Sequence, residues 1–151
     1  MLPTGRSVAS DSAGAPAGAS SNSIGMTPWI LLRHDTPDGS WHFDWMLATA
    51  PADSGLPLMT FRVALRPDQP GTDSFDAERI GDHRAAYLTF EGPLTEGRGS
   101  VRREASGTCR VRQNGSVLIV ELIEPNTTWV GAPRVPDTAL YRFERADARR
   151  P

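Results

Sequence analysis

Between Trp41 and Trp45 the chain alternates an aromatic ring with a polar side chain at every step, reading Trp41-His42-Phe43-Asp44-Trp45. A period of two marks a β-strand, whose successive side chains point to opposite faces. Aromatic residues also suit a pleated, half-buried surface. The strand expected over Trp41–Ala48 therefore buries Trp41, Phe43 and Trp45 on one face and presents His42 and Asp44 on the other. A slip of one residue would bury the imidazole and the carboxylate instead of the rings, so the register is firmly set.

His34 precedes His42, and Thr36-Pro37-Asp38-Gly39 between them is rich in turn-forming residues. If Trp29–His34 is the preceding strand, this turn folds His34 back towards His42. Two histidines and a carboxylate brought together suit a divalent transition metal with positions left open for substrate. A His-x-Asp pair on a strand is also compatible with a plain hydrogen-bonded surface pair, and the residues alone leave both readings open.

Along the rest of the chain, short alternating runs are separated by Gly- and Pro-rich loops. Strands are expected at Trp29–Leu32, Leu58–Leu65, Ala85–Phe90, Ser100–Glu104, Gly107–Arg112, Ser116–Leu122 and Ala139–Arg145. A helical turn is expected at Ala77–Ile80 and an irregular stretch at Pro125–Pro136. Asn114-Gly115 is a strong hairpin signal, because both residues accept positive φ. About eight short strands at regular spacing with little helix argue for an all-β fold, a small antiparallel β-barrel whose closure removes exposed edges. Residues 1–25 are a Ser/Ala/Gly-rich run with little to bury, expected to be a disordered tail, with Met26 an alternative start. The ordered domain is expected over 26–146, with a frayed end at 147–151.

Composition excludes some function classes. A net charge of −2 and a pI near 5.9 give no bulk basic field for non-specific DNA binding. All 16 basic residues are arginine, whose planar guanidinium can grip phosphate bidentately. Cys109 is the only cysteine, so no intramolecular disulfide forms, and its alternating surroundings place it in a strand. No stretch approaches the roughly 20 apolar residues that span a bilayer, and no signal-peptide core is present. A cytoplasmic protein without membrane contact is the expectation.

Three blocks carry a family likeness: His34-Asp35 with Trp41-His42-Phe43-Asp44, then Asp82-His83-Arg84-Ala85-Ala86-Tyr87, then Phe90-Glu91-Gly92-Pro93-Leu94-Thr95-Glu96-Gly97. In order and spacing they resemble the 3′-phosphoesterase domain of bacterial DNA ligase D, above all the short stand-alone members that lack polymerase and ligase domains. The resemblance covers roughly Trp29 to Leu122. It implies a small β-barrel that binds manganese beside a nucleic-acid 3′-end, with Zn²⁺ or Co²⁺ as other candidates. His34, His42 and Asp44 match the family's metal ligands. His83 and Tyr87 match its phosphate-contacting histidine and tyrosine, and Arg66 and Arg79 are the arginines expected near the phosphate. The implied activity is removal of a 3′-terminal ribonucleoside and then of the 3′-phosphate in DNA end repair. A separate DNA ligase or end-joining proteins would be the partners. The alternative is a non-catalytic module that keeps the metal pocket to bind an end or a repair partner. Two positions after the metal aspartate the family has an arginine, whereas this chain has Met46. On the same strand face as His42 and Asp44, Met46 is expected to cost the site a phosphate contact.

Overall fold

The structure is a computed structural model that describes residues 25–124, 126–135 and 138–146. The strands are β1 (Thr27–Asp35), β2 (Trp41–Leu47), β3 (Leu58–Val63), β4 (Ser74–His83), β5 (Gly92–Pro93), β6 (Ser100–Asn114), β7 (Val117–Leu122), β8 (Thr127–Pro133) and β9 (Leu140–Arg145). Eight of them follow the order β1-β2-β3-β4-β9-β8-β7-β6, and β6 pairs back onto β1, so the antiparallel barrel closes. The short β5 adds to the start of β6. The all-β barrel expected from the alternating runs is the fold observed. No helix among the described residues is long and apolar enough to cross a membrane.

The barrel is filled by the inward residues of its strands, among them Trp29, Leu31, Trp45, Leu47, Phe61, Phe75, Val120, Trp129 and Phe143. Trp45 lies edge-on to Phe75 and Phe143, at centroid distances of 5.8 and 5.4 Å. Glycine is forced at position 131, because a Cβ there would come within 2.3 Å of the Phe143 ring. Cys109 belongs to this core, and burial pushes its thiol up to about 11.

A second, smaller cluster lies on the outer face of the sheet. Ile30, Leu32, Met46, Ala48, Leu58 and Val101 are covered by Tyr87, Leu88 and Leu94. The cover is the segment that leaves the barrel after β4, makes a 3₁₀ turn at Ala85–Leu88 and another at Thr95–Gly97, and returns at β6. Gly99 pins its end against β1: φ there is +95°, and a Cβ would sit 1.9 Å from the Asp35 carbonyl oxygen.

Several expectations are corrected. Ala77–Ile80 is not a helical turn but the middle of β4, paired with β3 and β9, with Phe75 and Ala77 buried. Ala85–Phe90 is not a strand, because Tyr87 and Leu88 pack down together on the outer cluster instead of alternating. Within Pro125–Pro136 lies β8, which buries Thr127 and Trp129 in alternation. Ser100–Glu104 and Gly107–Arg112 are one strand: β6 pairs Ala105 with Leu31 and Arg103 with Leu32, so Glu104 bulges out and the alternation changes phase. Trp41 is 46% exposed rather than buried. It opens β2 at the barrel rim, where the Arg33 guanidinium lies 4.3 Å from its ring centroid. The Asn114-Gly115 hairpin is present, with Gly115 at φ +63°. The expected tail over 1–25 falls, apart from Gly25, outside the described residues, as does the end at 147–151.

Candidate metal centre

The turn joining β1 to β2 sets the site. The Asp38 carboxylate accepts from the Thr36 hydroxyl at 2.6 Å, the Ser40 backbone N–H at 3.0 Å and the Ser40 hydroxyl at 2.7 Å. These hydroxyl bonds hold its pKa well below the usual carboxylate range. Gly39 takes the positive φ the reversal needs. The resulting register places His34 opposite His42 and Leu32 opposite Asp44. The two imidazoles meet edge to face, with centroids 4.9 Å apart. His34 Nδ1 is 3.8 Å from Asp44 Oδ2, and His42 Nε2 is 3.3 Å from Asp44 Oδ1. One ligand atom from each residue lies within 4.8 Å of the other two.

Hydrogen bonding singles out which atoms face the centre. A carbonyl can only accept, so the 2.8 Å contact from His34 Nε2 to the Arg98 backbone oxygen places the proton on Nε2. The Nδ1 lone pair is left towards Asp44, and the ring orientation is fixed from outside, as metal-ligating histidines require. His42 Nε2 and Asp44 Oδ1 are buried without a hydrogen-bond partner, and Asp44 is only 3% exposed. Burial pushes the His42 pKa down and the Asp44 pKa up, each against the attraction of the other. Lone pairs converging on one point are what a cation satisfies, and a cation would reverse the penalty on the buried carboxylate. The donor set therefore fits a divalent metal held by His34, His42 and Asp44, with positions left open.

His83 and Tyr87 border this centre. At the end of β4, His83 Nδ1–H donates to the Gly81 carbonyl at 2.9 Å, leaving Nε2 unengaged. Its charge acts on Asp44, and its ring meets Tyr87 at 5.4 Å. Arg79 and Arg66 are not brought to the centre. Arg79 stands opposite the inward Phe61 with its guanidinium 5.7 Å from that ring, and it pairs with Asp82 at 2.9 Å. Arg66 is held by Asp68 at 2.8 Å and Glu104 at 3.4 Å. The Asp68 hydrogen bond is the main cause of its raised pKa.

The arginine at the centre is instead Arg62, directly opposite Asp44 across the β2–β3 pair. Its charge acts on both His42 and Asp44. The alternation of Phe61 with Arg62 held this signal, but only the strand pairing shows that Arg62 neighbours Asp44. Beside it, an open groove of about 510 Å³ runs past Trp41, His42, Arg62, Asp76, Glu78 and Leu140. Met46 does not face this groove. It is completely buried in the outer cluster, so the side chain at that position forms core and Arg62 supplies the nearby positive charge.

Most of the described arginines are already neutralised: Arg33, Arg66, Arg79, Arg102, Arg110, Arg134, Arg142 and Arg145 each pair with a carboxylate. Arg62, Arg84, Arg98, Arg103 and Arg112 hold no ion pair among the described residues. Of these, Arg62 is the one whose charge acts on the triad. Arg62 is opposite Asp44 and Arg103 opposite Leu32, while Arg84 and Arg98 share a hollow with His83 and Tyr87. No protein-family model matches the chain, and no curated protein matches it.

Proposed function

We propose that the protein is a metal-dependent phosphoesterase acting on nucleic-acid 3′-ends, removing a 3′-phosphate or 3′-terminal ribonucleoside. The observation that carries this reading is the pair of buried atoms without hydrogen-bond partners, His42 Nε2 and Asp44 Oδ1, beside the oriented His34 Nδ1. The resemblance of the surrounding motifs to the ligase D phosphoesterase domain supplies the substrate class and manganese as the metal to try first. When bound, the cation neutralises phosphoryl charge and so eases attack at phosphorus.

The chain's own residues divide the remaining work. Arg62, which lies between Asp44 and Glu78 across the two strand pairs without a close ion pair to either, would bind non-bridging phosphate oxygens and stabilise the charge they gain. His83, with Nδ1–H committed to Gly81, offers Nε2 for proton transfer to the departing oxygen. Tyr87 braces the His83 ring. An acidic chain with few unpaired arginines among its described residues suits recognition of an end better than of a long duplex.

The test is phosphate release from a duplex primer bearing a 3′-phosphate, with and without Mn²⁺. Wild type should release phosphate only with Mn²⁺, and His42→Ala should release none. Arg62→Gln should lower kcat/KM by about 10- to 150-fold, the loss of one charge-assisted hydrogen bond. A wild type that binds Mn²⁺ yet releases no phosphate would overturn the catalytic reading in favour of an end-binding module.

A further inference from the structure

The cover segment does more than seal the outer cluster. Between its two 3₁₀ turns it encloses a cleft of about 180 Å³, whose walls include Arg84, Tyr87, Phe90, Pro93, Leu94 and Arg98. No acidic side chain lines it among the described residues. Asp82, which borders the adjoining hollow, is already engaged by Arg79 at 2.9 Å. Arg84 is exposed and unpaired. Arg98 is held in place from within the segment, its Nε donating to the Thr95 carbonyl and its Nη2 to the Thr95 hydroxyl, both at 3.0 Å. Neither bond neutralises its charge.

The floor is aromatic. Phe90 is 37% exposed and meets Tyr87 edge to face at 5.8 Å, and Tyr87 meets His83 at 5.4 Å. The rings make a continuous path from the border of the metal centre into the cleft. Arg98 joins the two places as well, since its backbone oxygen holds His34 and its side chain lines the cleft. Guanidinium groups set beside a partly exposed aromatic ring make the arrangement that holds unpaired nucleotides, because phosphates take the charge and any base can stack.

We propose that this cleft binds the unpaired strand leading to the 3′-end, with Arg84 and Arg98 on backbone phosphates and a base stacked on Phe90. The direction of the strand rests on the phosphoesterase reading, whereas the cleft's affinity for an unpaired strand does not. The protein would thus prefer a single-stranded or frayed 3′-end to a blunt duplex, whose bases are not free to stack in a cleft.

Fluorescence anisotropy with the full chain in EDTA separates this from catalysis. A labelled oligothymidylate should bind wild type more tightly than a blunt duplex of equal length, and an oligouridylate arm tells deoxyribose from ribose strands. Phe90→Ala should weaken binding by about 5- to 150-fold, the loss of one stacked base. Arg84→Gln should flatten the salt dependence by about 0.7 in the slope of log K against log salt, one phosphate contact to a single strand. Both positions are exposed, so neither change removes core. Equal affinity for oligothymidylate and duplex, or both variants binding as wild type does, would overturn the proposal. Because no metal is present, a failure to release phosphate leaves this result untouched.

Discussion

The β1–β2 hairpin has two faces that solve the same problem in opposite ways. Inward, Trp29, Leu31, Phe43, Trp45 and Leu47 fill the barrel. Outward, Ile30, Leu32 and Met46 sit beneath the cover segment, while His34, His42 and Asp44 gather at its margin. Both faces contain buried polar atoms without partners, but of different kinds. Inward they are the indole nitrogens of Trp29 and Trp45, N–H donors that no cation would approach. Outward they are a carboxylate oxygen, Asp44 Oδ1, and a ring nitrogen able to ligate, His42 Nε2, 3.3 Å apart. The first pair is the local cost of packing large rings tightly, whereas the second is a set of atoms suited to positive charge. The sign of the unsatisfied group, more than its burial, separates core from site.

The largest expected effects test whether the lower outward face is core in the same sense as the inward one. Trp45→Ala should destabilise by about 3–5 kcal/mol in denaturant unfolding. Met46→Arg should cost a similar amount, about 3–5 kcal/mol, by burying an uncompensated charge. If Met46→Arg were tolerated and raised activity, the outward face at that position would belong to the site.

A smaller effect joins the two regions. Gly99→Ala drives a Cβ into the Asp35 carbonyl at a positive φ, costing about 1–3 kcal/mol. It also shifts the neighbouring Arg98 carbonyl that orients His34, so metal affinity should fall by about 10- to 100-fold in a titration.

A change of similar size should have the opposite sign. In metal-free protein, Asp44→Asn should stabilise by about 1–3 kcal/mol at neutral pH, because a buried carboxylate whose burial outweighs the attraction of its neighbours is removed. The Asp44 pKa is raised by burial from 3.8. Its penalty is therefore absent below that value, where folded and unfolded chains both hold the proton, and grows as the pH rises towards the folded value. The His42 pKa is lowered from 6.5, so its penalty grows as the pH falls below 6.5 towards the lower folded value. Metal-free stability curves for wild type and Asp44→Asn should thus diverge as the pH climbs out of the acid range. Parallel curves would mean that Asp44 is satisfied without a metal.

The barrel and the triad were legible because period-two alternation fixes both the strand and the side each residue takes. Trp45 and Phe43 inward, His42 and Asp44 outward, and the turn returning His34 all follow from local pattern. What failed depended on pairings that the local pattern does not reveal, most of them distant in the chain. Ala77–Ile80 looks helical until β3 and β9 are there to pair with it. The Glu104 bulge breaks one strand into two apparent ones. Arg66 and Arg79 were matched by place in a motif, yet Asp68, Glu104 and Asp82 had already claimed them. Arg62, carried to Asp44 by a neighbouring strand, could be found only from the pairing.

The central claim is that His34, His42 and Asp44 form one divalent-metal site. The most direct test is Mn²⁺ titration followed by the loss of the free-ion electron paramagnetic resonance signal, comparing wild type with His42→Ala. The account predicts saturation at one Mn²⁺ per chain, competed by Zn²⁺ and abolished in the variant. Binding of equal strength in His42→Ala, or no binding in wild type, would contradict it.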